Sequence, residues 1–204
     1  MKTIYHQIEI VDENCTGCYR CERVCPTSAI TMVGEQQNAL AVVNNDKCIA
    51  CFRCIDSCDD DAMLAVDRDE PIVLDGATAG VDPDDVLELC RTTGMYPDAM
   101  ACMCSGSQVK ELAAAVLGGA ETFEEVAMKT GAQSGCLMYC SVPIRRLLRT
   151  HTGEVKTGTK IRRYPAEFGL MDVPAEVAAK YPLFNVAEEQ RIRREFLDTM
   201  EVDL

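Results

Sequence analysis

The stretch Cys15-Thr16-Gly17-Cys18-Tyr19-Arg20-Cys21-Glu22-Arg23-Val24-Cys25-Pro26 decides the fold, because its four thiols follow one another as C-x2-C-x2-C-x3-C. Cys48, Cys51, Cys54 and Cys58 repeat that spacing, each 33 residues after its counterpart. The flanks repeat in the same register: Ala29-Ile30-Thr31-Met32-Val33 falls on Ala62-Met63-Leu64-Ala65-Val66. A duplicated unit that extends past its cysteines is read as a repeat before any single element is assigned. Close spacing lets three thiolates of one loop grip one cluster, while the fourth, carried onto the start of a helix, points elsewhere. Soft thiolates suit iron-sulfur clusters or zinc. Zinc sites usually arrange two pairs of ligands around one tetrahedral ion, which is not the pattern of these runs.

The two runs, with the proline of Cys25-Pro26, resemble the bacterial 2x(4Fe-4S) ferredoxin family over about the first 70 residues. The resemblance implies two 4Fe-4S clusters with crossed ligands. Cys15, Cys18, Cys21 and Cys58 would hold one, and Cys48, Cys51, Cys54 and Cys25 the other. It also implies two short hairpin-like sheets with a helix following each cysteine loop. Asp59-Asp60-Asp61 stands where the family has a proline-led segment, which removes no ligand. Ile4 to Ile10 alternates as a strand does, and Leu40-Ala41-Val42-Val43 gives a second strand before the second run. So small a fold has little core, and its clusters would contribute directly to stability. Tyr19 and Phe52, each beside a ligand cysteine, read as shields for the clusters.

Beyond a Pro/Asp/Gly-rich connection from Pro71 to Pro83, Asp82-Pro83-Asp84-Asp85 supplies an N-cap, a proline at N1 and acids in the first turn of a short helix through about Cys90. Then come Cys102-Met103-Cys104 and, after 31 residues, Cys136-Leu137-Met138-Tyr139-Cys140. Two close pairs joined by two helices make a four-thiolate cage. The text between them, with Gln108 to Val116, Gly118-Gly119, Glu121 to Val126 and Thr130-Gly131, resembles the helical domain of bacterioferritin-associated ferredoxin over about residues 100–150. That family holds one 2Fe-2S cluster on a C-x-C and a C-x2-C pair. Here the second pair is C-x3-C, and the longer arm could hold a 2Fe-2S unit or open around a cubane. Zinc and merely buried cysteines are the competing readings. Cys90 has no local partner and reads as a small core residue, and His6 and His151 stand isolated.

Thirteen cysteines in 204 residues exceed what packing requires, and an odd total argues against a closed disulfide framework. Hydrophobic residues make up 48%, which suits a folded chain. Of the net charge of −13, residues 1–140 hold 23 acids against 9 bases and the remainder 10 acids against 11 bases. An acidic front repels nucleic acid and favours a basic patch on a protein partner, although a solvated acidic surface would look the same. No secretory signal opens the sequence, so a cytoplasmic location is expected, with thiols kept reduced. No apolar run approaches the roughly 20 residues a membrane helix needs, so no direct membrane insertion is expected. No G-x-G-x-x-G, phosphate loop or nucleophile triad offers bond chemistry.

Residues 151–204 carry no cysteine. Tyr164 to Pro174 reads as extended, Asn185 with Glu188 as a capping-box-like helix start, and Ile192, Phe196, Leu197 and Met200 as one apolar face. Docking on another subunit and packing back on the chain itself both fit such a stripe. The expected architecture is α+β: a ferredoxin-like two-cluster domain with duplicated cysteine loops (1–70), a connector with a short helix (71–99), a small helical cluster-binding domain (100–150) and an extended C-terminal tail (151–204). The whole looks similar to the small iron-sulfur subunit of class II, tungsten-dependent benzoyl-CoA reductase. That resemblance implies an electron-transfer subunit of an anaerobic oxidoreductase complex, without a catalytic site of its own, and favours 4Fe-4S over 2Fe-2S for the third cluster. Its partners would be a large catalytic subunit carrying tungsten-pterin and other redox subunits. The alternative reading is a redox-sensing or iron-handling ferredoxin without a catalytic partner.

Overall fold

The computed structural model describes residues 2–35, 38–76, 78–156, 161 and 167–204. Strand β1 (Lys2–Ile10) runs antiparallel to β4 (Met63–Leu74), with Ile10 opposite Met63. Strand β2 (Ile30–Val33) runs antiparallel to β3 (Leu40–Val43), with Ile30 opposite Val43. Ile10 and Val43, like Ile30 and Met63, are 33 residues apart, so the sequence repeat becomes a pseudo-two-fold relation between the hairpins. The same offset appears in the backbone. Gly17 and Ala50 have φ of 68° and 47°, Tyr19 and Phe52 of 64° and 60°, and Ser28 and Asp61 of 53° and 51°. Left-handed conformations at non-glycine residues are uncommon, and three matched pairs mark two copies of one loop. Gly17 is needed for a second reason: a Cβ there would meet the Ala39 carbonyl oxygen at 2.9 Å.

Short helices α1 (Arg20–Val24) and α2 (Arg53–Asp56) lie inside the cysteine runs and carry Cys21 and Cys54. This corrects the expected placement, since the fourth cysteines, Cys25 and Cys58, follow these helices and do not begin new ones. Pro26 disfavours helical geometry at the residue before it, and Cys25 is extended at φ −72°, ψ 111°. After Cys58, the left-handed Asp61 turns the chain straight into β4. The small core beneath consists of Ile8, Ile30, Ala41 and Met63 together with Cys21, Cys25 and Cys54.

β4 continues past residue 70 to Leu74, still paired with β1. The helical unit then begins with α3 (Pro83–Thr93), where Asp82 accepts a hydrogen bond from the Asp84 amide at 2.9 Å and Gly94 closes the helix in the left-handed region. It continues with a tight hairpin of β5 (Met100–Cys102) and β6 (Ser107–Gln108), then α4 (Val109–Leu117), α5 (Phe123–Thr130) and α6 (Ser141–Thr152). Thr122 and Glu125 form a reciprocal capping box that starts α5. Leu112, Phe123, Ile144, Leu147 and Leu148 are fully buried with Val86 and Cys90 of α3. Cys90 is thus a core residue, and burial pushes its thiol up to about 12.

The two units are tied at the chain start. Lys2 Nζ donates to Ser107 Oγ at 2.7 Å and to the Thr130 carbonyl at 2.6 Å, and the Gly76 amide donates to the Lys129 carbonyl at 3.1 Å. Burial pushes the Lys2 ammonium down, while Glu111 and Cys102 pull it back up.

In the tail, Tyr164 to Ala166 of the expected extended segment lie outside the described residues, and Leu170–Asp172 form a single 3-10 turn where extended chain was expected. Helices α7 (Ala175–Lys180) and α8 (Val186–Asp198) follow. Asn185 precedes α8 at φ 48° without a side-chain cap, which corrects the capping-box expectation: a left-handed residue is reached from a preceding turn at Pro182–Phe184. The apolar stripe is split. Leu197 is 2% exposed against the helical unit, and the Phe196 ring meets Tyr96 edge-on at 5.2 Å, whereas Ile192 stays exposed. Leu183, at 94% exposure, and Phe184 project from the turn before α8. Among the described residues no helix is long and apolar enough to cross a membrane.

Candidate metal centres

Cys15, Cys18 and Cys21 of the first run line one cavity together with Cys58 of the second. Cys48, Cys51 and Cys54 line another together with Cys25 of the first. The exchange follows from the fold: α1 and α2 pack side by side, and each fourth cysteine leaves its helix toward the other repeat. The two cavities are equal in volume, at ≈ 20 Å³ each. Matched backbone amides point at the fourth sulfurs, Ala29 N–H at Cys25 Sγ (3.2 Å) and Ala62 N–H at Cys58 Sγ (3.4 Å). Such donors stabilise negative charge on sulfur. Tyr19 lines the first cavity and Phe52 the second, in line with their expected shielding place.

The donor set fits an iron-sulfur cluster: four thiols line each space, and thiolates are the ligands that soft iron-sulfur chemistry requires. Burial pushes the thiols of Cys21 and Cys51 up to about 11 and that of Cys54 up to about 12. These thiols hold their protons at neutral pH, so ligation releases protons and acid opposes it.

The surroundings differ. Ile8, Ile30, Val43 and Ile49 wall the second cavity, whereas Thr16, Arg20 and Asp60 border the first. Thr16 Oγ1 donates to Asp60 Oδ2 at 2.8 Å, and Arg20 pairs with Asp59. Of the three aspartates after Cys58, Asp60 is thus the one fixed at the cavity wall. Asp60→Asn should raise the reduction potential of a cluster there by on the order of 40 mV, the one-electron equivalent of about 1 kcal/mol for a unit charge near the surface. Redox titration at low salt checks it; an unchanged or lower potential would remove Asp60 from the account.

The third thiol set is assembled from two loops. Cys102 ends β5 and Cys104 sits in the β5–β6 turn, while Cys136 and Cys140 lie in the loop that leads into α6, with Leu137 left-handed between them. Cys140 donates to Cys102, holding the Cys102 thiol well below its ordinary range, and the same contact with burial pushes Cys140 up. Backbone amides of Tyr139 and Met138 lower Cys136, which also contacts Cys104. Gly135 permits this approach, since a Cβ there would lie 2.8 Å from Cys104 Cβ and nearer still to its sulfur. Cys102 and Cys140 are buried, but Cys104 and Cys136 are exposed and flanked by exposed Met103, Met138 and Tyr139.

Residues 7–59 match the family model of a 4Fe-4S dicluster domain, and residues 100–150 that of a BFD-like [2Fe-2S] binding domain. The chain is an iron-sulfur protein. No curated protein and no solved structure gives a significant match to it. The two matched domains enclose all three thiol sets, and an electron-transfer role follows from the clusters such domains bind.

Sequence spacing did not foresee one relation. Cys51 of the second cavity and Gly135, next to Cys136, line the same surface recess with Arg53, Asp56 and Ser134. The second thiol set and the loop that carries Cys136 therefore border one recess, with Arg53 in its lining.

Proposed function

We propose that this chain is the electron-transfer subunit of an anaerobic oxidoreductase complex, with three clusters arranged as a wire. Cys15, Cys18, Cys21 and Cys58 hold one 4Fe-4S cluster, and Cys25, Cys48, Cys51 and Cys54 a second. Cys102, Cys104, Cys136 and Cys140 hold the third; the resemblance to the benzoyl-CoA reductase subunit favours 4Fe-4S there, the family model describes 2Fe-2S, and the C-x3-C arm admits either. The recess that Cys51 and Gly135 both line supports this reading, and on it we take the second cluster as the middle one. Arg53 there offers positive charge to an electron on either side. The exposed Cys104 and Cys136, rimmed by Met103, Met138 and Tyr139, give the third cluster a face to the outside. When bound, the clusters supply one-electron chemistry; the chain's residues ligate, shield and tune them.

The partner we favour is a large catalytic subunit of the tungsten-pterin class, such as that of class II benzoyl-CoA reductase, in company with other redox subunits. Leu183 and Phe184 are the tail's candidate anchors, being large, apolar and turned away from the chain. Oxygen-free purification of the native complex tests the proposal. The chain should bring down a large catalytic subunit, and Leu183→Ser with Phe184→Ser should reduce its recovery several-fold with iron content unchanged. Full recovery with both variants would exclude the tail as the docking element. Purification without any catalytic subunit, with a conformation that changes with redox state, would favour the redox-sensing reading instead.

A further inference from the structure

A cavity of ≈ 700 Å³ with no cysteine in its lining lies where the end of α3, the second half of α6, residues 167–172 and α8 meet. Arg91, Arg146, Arg149 and Arg194 line it against two carboxylates, Glu167 and Asp172. Both carboxylates are already engaged, Glu167 by Arg149 at 2.7 Å and Asp172 by Arg146. Arg91 directs donors to the carbonyls of Leu197 (3.3 Å) and Asp198 (3.4 Å) and has no carboxylate partner among the described residues. Arg194 is exposed, and no hydrogen bond or ion pair engages it among the described residues. A chain of net charge −13 therefore keeps a local surplus of guanidinium charge in one concave place.

The walls are held in position. Arg146 also donates to the Thr93 carbonyl at 3.1 Å, and Met171 rests on the end of α3 so closely that a Cβ on Gly94 would come within 2.5 Å of its Cγ. Phe168, 72% exposed, presents a ring at the cavity. Guanidinium forks match phosphate oxygens two at a time, an exposed ring offers a stacking face, and the volume lies within the range of small-molecule sites.

We infer that this cavity binds a nucleotide-class ligand, with its phosphates on Arg149, Arg194 and Arg91 and its base against Phe168. The inference does not depend on the cluster assignments. It is tested by calorimetric titration of the full cluster-loaded chain, without oxygen, with ADP, pyrophosphate and adenosine. ADP should bind more tightly than pyrophosphate, adenosine should not bind, and rising ionic strength should weaken both phosphate-bearing ligands. Arg194→Ala should weaken ADP about tenfold or more, with iron content and visible spectrum unchanged, and Phe168→Ser should reduce ADP to the level of pyrophosphate. No binding of ADP at millimolar concentration would overturn the inference. So would ADP binding indifferent to both Arg194→Ala and Arg149→Gln, or equal affinities for ADP and pyrophosphate. Tighter binding of an oligoglutamate peptide than of ADP would overturn it too, by making the cavity a seat for protein carboxylates.

Discussion

Replacing Cys58 with alanine should abolish the cluster whose other three thiols belong to the first cysteine run, and leave the second-run cluster in place. The reason is geometric: Cys58 lines the cavity of Cys15, Cys18 and Cys21, not that of its own run. Cys25→Ala should do the reverse, since Cys25 lines the cavity of Cys48, Cys51 and Cys54. Electron paramagnetic resonance of the reduced proteins, with iron counted on each, distinguishes the cases. Signal loss confined to the run that carries the mutation would establish local ligation and overturn the crossed assignment. Both variants should also unfold more readily, because cysteines make up much of the small core and cluster binding contributes folding free energy.

The second large effect is expected at Cys140. Cys140→Ala removes a buried thiol that lies against Cys102 and is one of the four proposed ligands, so the third cluster should be lost. The first two clusters should survive, because none of their cavity-lining thiols comes from the helical unit. Gly135→Ala should act in the same direction with smaller amplitude, by forcing Cys104 aside. Iron content and Mössbauer spectra of the two variants check both statements and separate a cubane from a 2Fe-2S centre in the parent chain. Unchanged iron in Cys140→Ala would reduce these four cysteines to packing residues.

The repeat made most of the first unit legible. A constant offset of 33 residues foretold two equivalent loops, and it is met again in hairpin pairing, left-handed residues and sulfur-directed amides. The alternation of Ile4 to Ile10 and the Asp82-Pro83 start of α3 were equally plain. The five- and four-residue helices α1 and α2 were not placed, because so short an element shows no 3.6-residue period. The stripe on α8 could not reveal which part is covered, since Leu197 and Ile192 lie on similar spacing and differ only in what stands opposite. Spacing along the chain is likewise silent about Cys51 and Gly135 bordering one recess, or about four arginines from three helices sharing one cavity.

The exchange of fourth cysteines also sets a timetable for biosynthesis. The ribosome has made three thiols of the first cavity by Cys21, yet that set stays incomplete until Cys58 emerges. The second cavity, served early by Cys25, is complete four residues sooner, at Cys54. At translation speeds of about 5–20 residues per second the two sets mature within a second of one another. The third waits for Cys140 and trails by several seconds more. On the crossed assignment proposed above, a nascent chain arrested between Cys25 and Cys48 holds four thiols divided between two incomplete sets, the interval most open to oxidation.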